Sequence, residues 1–184
     1  MERDDQLHCP LFCEENAWHL AGRLLEAGEE AEVLLFSNPA CRVLMLQQAR
    51  GEEAEMGLVV WDYHVVVRAG GLVYDLDTRL PFPMPVEDYL RATFPPQAGL
   101  PEAFRAFVRR IPAAAFVARF SSDRSHMVGA VPPEAFPPWP PILPSRADAI
   151  PLQRYWDLAQ ALDDGSEVLP IEGYRDAVSS GRGE

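Results

Sequence analysis

The first half of the chain contains the residue types that acyl-transfer chemistry needs: a cysteine, a histidine and two aspartates. Cys13 stands in CEENAW, His64 in WDYHVVV, and Asp75 and Asp77 in YDLDT. A thiol that gives its proton to an imidazole can attack a carbonyl carbon. A carboxylate can hold that imidazole in one tautomer and stabilise its charged form. These residue types therefore indicate a cysteine nucleophile with a histidine base.

The Val-rich runs on either side of Gly70-Gly71 are typical of a β-hairpin. A two-residue turn at Gly70-Gly71, which turn chemistry prefers, sets His64 opposite Asp77. A turn at Ala69-Gly70 would set the same histidine opposite Asp75. Both registers bring an imidazole and a carboxylate to one face, so turn chemistry leaves the choice of aspartate open. A purely structural His–Asp pair is the alternative interpretation.

The aromatic residues of the first run are expected to lie away from the histidine. Alternate residues of a strand share a face, so Asp62 and His64 fall on one side. Trp61 and Tyr63 fall on the other side. The strand pattern therefore favours a core position for both aromatic side chains over a wall for bound substrate.

The cysteine is predicted to stand at the start of a helix. CEENAWHLAGRLLEAGEE has apolar residues at helical spacing from Cys13 onward, and Gly28 is a plausible end. The positive potential of a helix N-terminus favours a thiolate. Glu14 and Glu15 oppose that effect, so they need another role, such as capping the helix or receiving a positive group of the substrate. A buried, inert thiol is the alternative for Cys13 alone.

The remaining elements indicate an α+β fold. AEVLLFSNP and CRVLMLQQAR are predicted strands, and LPFPMPVEDYL contains the start of a short helix. The pattern over 101–120 is helical, with Pro112 dividing it into two pieces. A further short helix is predicted in RYWDLAQAL. One helix, then strands, then helices favours an antiparallel sheet packed by helices over a doubly wound sheet.

Two polar or Pro-rich segments follow the second predicted helix. SSDRSHM contains Ser122, Asp123 and His126, every residue type of a serine hydrolase triad. So many groups in one short loop cannot easily form the required relay, so we expect a hydrogen-bonded structural loop near the site, with Arg124 bound to a carboxylate. The Pro-rich run over 131–145 is expected to lie extended on the surface.

Length and composition bound the class of protein. The 184 residues fit a single catalytic domain over 1–184, with ends that fray at about 1–7 and 179–184. The net charge of −12 argues against nucleic acid or an anionic membrane as partner. Neither a signal peptide nor a membrane span is visible, and three unpaired cysteines favour a reducing compartment. We therefore expect a cytoplasmic protein, with a monomer as the default.

Several stretches together resemble the protein N-terminal glutamine amidohydrolase family. These stretches are CEENAW, FSN, QQAR, WDYHVV, YDLDTRLPFP, FSSDRSHM and the Pro-rich run, in the family's order over roughly residues 9–145. The combination is highly specific, although each stretch alone would be weak. The resemblance implies a fold similar to the papain and transglutaminase catalytic core. It also implies conversion of an N-terminal glutamine side chain to glutamate with release of ammonia.

Carried over to this chain, the resemblance implies particular roles. The nucleophile falls on Cys13, the base on His64 and the orienting acid on Asp75, which selects one of the two aspartates. A γ-glutamyl thioester forms and is hydrolysed, with no metal or organic cofactor. The family role also implies that the product proteins pass to a tRNA-dependent aminoacyl transferase and then to degradation.

Recognition of a free chain terminus requires a group that binds the α-ammonium, and a carboxylate is the obvious device. The candidates are Glu14, Glu15, Asp62 and Asp77. The partners implied are proteins or peptides that begin with glutamine. Two alternatives remain: a papain-like protease or transglutaminase-type acyl transferase with the same three residues, and a catalytically dead module that binds peptide termini.

Overall fold

A computed structural model of the chain describes residues 1–181. The helices are α1 (Cys13–Glu26), α2 (Val86–Thr93), α3 (Ala113–Arg119), α4 (Leu152–Trp156) and α5 (Ile171–Ser179). The strands are β1 (Ala31–Ser37), β2 (Val43–Met45), β3 (Val59–Trp61), β4 (His64–Ala69), β5 (Leu72–Tyr74), β6 (Met84–Pro85), β7 (Phe107–Pro112), β8 (Phe120–Ser121), β9 (Ile150–Pro151) and β10 (Glu167–Pro170).

A six-stranded antiparallel sheet organises the protein, in the order β10-β7-β1-β4-β5-β6. Strand β1 has both faces covered, because Val33 and Leu35 pack into a cluster with α1, α3 and α4, whereas Leu34 and Phe36 pack into a second cluster with α2 and α5. Such two-sided burial explains why AEVLLFS is a continuous apolar run. The expected antiparallel sheet packed by helices is confirmed.

The helix predicted over 101–120 is wrong in its first half. Residues 107–112 form β7, which pairs with β1 on one side and β10 on the other, and only α3 follows the prediction. Val108 and Ile111 are three positions apart, so they point to opposite faces of the sheet and pack into the two different apolar clusters. Pairing on both edges outweighs the local helical pattern. Pro112 ends the strand instead of dividing a helix.

The first Val-rich run is two strands rather than one. Strand β3 pairs with β2 in a separate two-stranded sheet, whereas β4 pairs with β1 and β5. Asp62 and Tyr63 lie between them, outside both ladders, and the Ser37 hydroxyl donates to the Asp62 carbonyl at 2.7 Å. This break changes which side chains meet His64.

The β4–β5 hairpin has the register that turn chemistry prefers. Ala69 lies opposite Leu72, with Gly70-Gly71 as the two-residue turn. Both glycines have positive φ, at 54° and 75°, a conformation that other residues rarely adopt. The ladder is short, because β5 ends at Tyr74. The residues after Tyr74 are therefore free to leave the line of the strand.

The first residues of the chain pack against a later segment through Arg3. Arg3 donates to the carbonyls of Thr78 and Leu80, at 2.5 and 2.7 Å, which holds the first residues against the segment after β5. The end predicted to fray over 179–184 lies partly outside the described residues. Within residues 1–181, no helix is long and apolar enough to cross a membrane.

Candidate active site

Cys13 and His64 line the same cavity, of about 300 Å³. The cysteine is the first residue of α1 and the histidine the first residue of β4, and these two elements pack against each other. Asp62, Tyr63 and His126 also line the cavity. A larger cleft, of about 550 Å³, lies at the far end of the sheet, but Glu32 neutralises its arginines and it contains no nucleophile. We therefore place the chemistry at the smaller cavity.

His64 is paired with Asp75. Nε2 of the imidazole lies 3.0 Å from Oδ1 of Asp75, and both side chains are buried. The carboxylate is itself held, because the Tyr89 hydroxyl donates to Oδ2 at 2.9 Å and the Asp77 backbone N–H donates to Oδ1 at 2.9 Å. A carboxylate so fixed orients the imidazole and fixes its tautomer.

The partner of His64 is Asp75 even though the Gly-Gly register sets Asp77 opposite it. Strand β5 ends at Tyr74, so the strand alternation no longer determines where the two aspartates point. Asp77 instead binds His8, with Oδ1 2.9 Å from Nε2. The register therefore does not choose between the aspartates, and Asp75, the residue that the resemblance selects, lies at the imidazole.

The charges of the pair stabilise each other. Burial lowers the pKa of His64, but the Asp75 charge and hydrogen bond more than offset it, so the pKa lies above its usual range. Burial likewise raises the pKa of Asp75, but His64 and the two hydrogen-bond donors bring it below its usual range. Nδ1 of His64 is buried and has no hydrogen-bond partner among residues 1–181. That nitrogen is the one free to exchange a proton.

The sulfur of Cys13 is a neutral thiol at rest. Burial, followed by the charge of Glu14, raises the pKa of Cys13 well above its usual range. The positive potential at the start of α1, which would favour a thiolate, is therefore outweighed. A base is needed to ionise this thiol.

The four candidate carboxylates occupy different environments. Asp62 and Asp77 line the cavity, and Asp62 is exposed. Glu14 is fully buried beside Cys13. Glu15 is also fully buried, but it binds the guanidinium of Arg124 at 2.8 and 2.7 Å, and the Trp139 indole N–H at 2.7 Å. Glu15 is thus committed to a structural ion pair.

Trp61, expected to point away from His64, lies beside it, which corrects that prediction, whereas Tyr63 packs with Val65 and Val67, the face expected for it, and also lines the cavity. The Trp61 ring stacks on the imidazole, with centroids 5.6 Å apart and planes inclined by 16°. The Tyr63 hydroxyl donates to Oε2 of Glu14 at 3.1 Å and lies 3.3 Å from Nε2 of His126. The break between β3 and β4 allows the position of Trp61, because strand alternation does not extend from β3 across residues 62–63.

His126 is a cavity residue that sequence reasoning did not select. The expectation that Arg124 binds a carboxylate is confirmed by its pair with Glu15, and this pair anchors the loop to α1. His126 follows two residues later and reaches Tyr63 across the cavity. Burial lowers the pKa of His126. No spacing in the sequence relates positions 63 and 126, so only the folded chain could indicate this contact.

A group of possible metal ligands is also present. Ligand atoms of His64, Asp75 and Asp77 lie within 4.8 Å of one another. However, His64 is hydrogen-bonded to Asp75, and Asp77 is hydrogen-bonded to His8. We assign these atoms to hydrogen bonds, and the absence of a metal requirement stays a prediction.

Comparison with known proteins relates the chain to one family. The sequence model of that family, N-terminal glutamine amidase, matches residues 8–174. Protein N-terminal glutamine amidohydrolase of Bos taurus is 36% identical over 150 residues, 73% of this chain and 71% of that protein. The Homo sapiens protein of the same name is 37% identical over 135 residues, 68% of this chain and 64% of its own. The Arabidopsis thaliana protein of the same name is 35% identical over 133 residues, which are 65% of this chain and 60% of its own. The last two matches span less than two thirds of the relative.

Proposed function

Because the chain belongs to the N-terminal glutamine amidase family, we propose that it hydrolyses the side-chain amide of an N-terminal glutamine, giving glutamate and ammonia. One observation carries the proposal beyond the name of the family. His64 has one ring nitrogen held by Asp75 and the other buried and unpartnered, in the cavity that Cys13 also lines. A thiol and an imidazole so arranged suit attack on an amide.

The first half of the reaction forms a thioester. Nδ1 of His64 accepts the thiol proton, and Sγ of Cys13 attacks the carbon of the substrate carboxamide. The Asp75 carboxylate stabilises the imidazolium that forms. The oxyanion of the tetrahedral intermediate receives hydrogen bonds from backbone N–H groups, including that of Cys13 at the start of α1.

The second half releases both products. The His64 imidazolium gives its proton to the departing nitrogen, so the C–N bond breaks and ammonia leaves a γ-glutamyl thioester on Cys13. A water molecule then gives a proton to the same imidazole and its oxygen attacks the thioester carbon. The C–S bond breaks, the sulfur recovers the proton, and an N-terminal glutamate leaves. No oxidant, metal or organic cofactor enters this balance.

Selection of a free terminus falls to the carboxylates that line the cavity. Asp62 and Asp77 are accessible from it, so we assign the α-ammonium to this pair. Glu15 is excluded because Arg124 neutralises it. An asparagine substrate is one methylene shorter, so its carboxamide falls short of the sulfur when its α-ammonium is bound.

The same proposal covers the architecture around the site. A sheet packed by helices, with the first residue of α1 at the cavity, is consistent with a papain- and transglutaminase-like core. Both apolar clusters pack on this one sheet, which supports a single catalytic domain over 1–184. A monomer acting in the cytoplasm remains part of the proposal.

The decisive experiment offers the protein three peptides of one sequence: with free N-terminal glutamine, with acetylated N-terminal glutamine, and with internal glutamine. We expect ammonia and a mass gain of about one unit from the first alone. Cys13→Ala and Cys13→Ser should both abolish turnover, whereas Cys41→Ser, at an exposed free thiol, is the matched control. Reaction of the acetylated peptide would replace the proposal with a transglutaminase-type acyl transferase. Full activity of Cys13→Ala would remove the nucleophile.

A further inference from the structure

Glu14 is a buried acidic residue next to Cys13, and the proposed mechanism does not use it. Glu14 is fully buried, and its Oε2 lies 3.8 Å from Sγ of Cys13. The same oxygen accepts the Tyr63 hydroxyl at 3.1 Å. The other oxygen, Oε1, is buried and has no hydrogen-bond partner in the described part of the chain. An unpartnered carboxyl oxygen in a protein interior calls for an explanation.

Glu15, next to Glu14 on the same helical turn, is a buried carboxylate with a full set of partners. Glu15 has a bidentate ion pair with Arg124 and a third donor in the Trp139 indole. Within residues 1–181, Glu14 has no such ion pair with an arginine. The imidazole of His126 lies near it, with Nε2 3.7 Å from Oε1, and burial lowers the pKa of His126, which favours the neutral imidazole. The negative form of Glu14 is therefore poorly compensated.

The charge of Glu14 and that of the thiolate exclude each other. Burial raises the pKa of Glu14 to about 7, so that near neutral pH both its forms are populated. Burial and then Glu14 raise the pKa of Cys13. Two negative charges this close in a buried site destabilise each other strongly, as in paired carboxylates that share one proton.

We propose that Glu14 is a positioning residue that acts through Cys13, so that the thiolate forms only in molecules in which the Glu14 carboxyl carries a proton. In those molecules Oε2–H donates toward Sγ and stabilises the thiolate, while His64 holds the thiol proton. When Glu14 is ionised, the S–H group instead donates to Oε2 and stays neutral. This inference rests on the proposed role of Cys13 as nucleophile.

The groups that contact Glu14 do not compensate its negative charge, so the protonation state of Glu14 controls whether the Cys13 thiolate forms. Cys13 and Glu15 flank it on α1, Tyr63 faces it from the segment before β4, and His126 faces it from the loop after β8. Glu15 is neutralised by Arg124, and Tyr63 keeps its proton because burial and Glu14 raise its pKa well above its usual range. Neither group supplies a positive charge that would stabilise ionised Glu14. The charges of His64 and Arg124 also act on Glu14, but without a hydrogen bond to it and more weakly than burial, which raises its pKa.

The test measures the rate at which iodoacetamide alkylates Cys13 as a function of pH, with each cysteine resolved by peptide mass mapping. Glu14→Gln removes the charge and retains the shape. We expect the midpoint of its alkylation profile to fall by about one pH unit or more, with roughly tenfold faster alkylation at pH 7. The alkaline limb of kcat/KM should move to higher pH in the same variant. Glu26→Gln, at the exposed end of α1, is the matched control.

Tyr63→Phe provides an independent arm. It removes a hydrogen bond that lowers the pKa of Glu14, so the carboxyl stays neutral to higher pH and the alkylation midpoint should shift in the same direction by less. An unchanged midpoint in folded Glu14→Gln overturns the inference. If that variant does not fold, an unchanged midpoint in Tyr63→Phe overturns it. A shifted midpoint in a protein that releases no ammonia from glutamine peptides supports the inference and refutes only the proposed function.

Discussion

The two histidines that line the cavity differ in one neighbour, and that neighbour decides their charge. His64 lies 3.0 Å from Asp75, and its pKa lies above the usual range. His126 has no carboxylate oxygen within hydrogen-bond distance, since Glu14 is 3.7 Å away, and its pKa lies below the usual range. Burial acts in the same direction on both rings. A carboxylate at hydrogen-bond distance reverses the outcome for one of them.

The charged form of His64 is stabilised, whereas the charged form of His126 is not. A catalytic base must stabilise the imidazolium that it becomes, and only His64 has the partner for this. His126 contacts Tyr63, which holds Glu14, so its influence reaches Cys13 indirectly. The type and burial of a residue thus matter less than the charge of its hydrogen-bond partner.

The largest expected effect comes from exchanging the two rings for amides. His64→Gln should lower kcat/KM for a glutamine peptide by about 10³-fold or more, because it removes the proton acceptor and donor. His126→Gln should lower it by less than about tenfold. Ammonia release measures both, and thermal unfolding checks that both variants fold. Equal losses would mean that His126 is a second base, and the comparison would fail.

The next effect tests the partner rather than the ring. Asp75→Asn should lower kcat by about 10²-fold or more, because an amide cannot stabilise the imidazolium. Asp77→Asn should leave kcat within about threefold and act on KM, since it faces the cavity and binds His8. The two variants make the same chemical change at positions two residues apart. A larger loss of kcat in Asp77→Asn would indicate that the hairpin register governs the relay.

The smallest effect is a displacement of titration midpoints, measured by NMR of labelled histidine rings. At pH 6.5, about the usual pKa of histidine, His64 should be mostly protonated and His126 mostly neutral. His64 therefore contributes folding free energy that is complete below the unfolded pKa and is lost as pH rises through the folded pKa. In Asp75→Asn burial is opposed only by the weaker effects of the Asp77 and Glu14 charges, so the pKa of His64 should fall. An unmoved midpoint would mean that another group charges His64.

Local rules predicted two of the elements that carry the candidate site. Helical spacing and Gly28 bounded α1, which begins at Cys13, and Gly70-Gly71 marked the hairpin turn. The helix predicted over residues 107–112 failed, because pairing with β1 and β10 overrode the local pattern. The face predicted for Trp61 was wrong because the strand breaks between β3 and β4. No local rule announces such a break.

The amino-acid sequence by itself indicated the candidate reacting groups, the helix that begins at Cys13 and the turn that brings His64 near two aspartates, since each depends on residue types a few positions apart. Only the tertiary structure decided which aspartate meets the imidazole, because β5 ends at Tyr74 and releases Asp75 from the ladder. It also decided that Glu14 lies uncompensated beside the thiol whereas Glu15 is neutralised by Arg124. Charge compensation in a protein interior depends on groups that are distant in sequence, and therefore on how the chain packs.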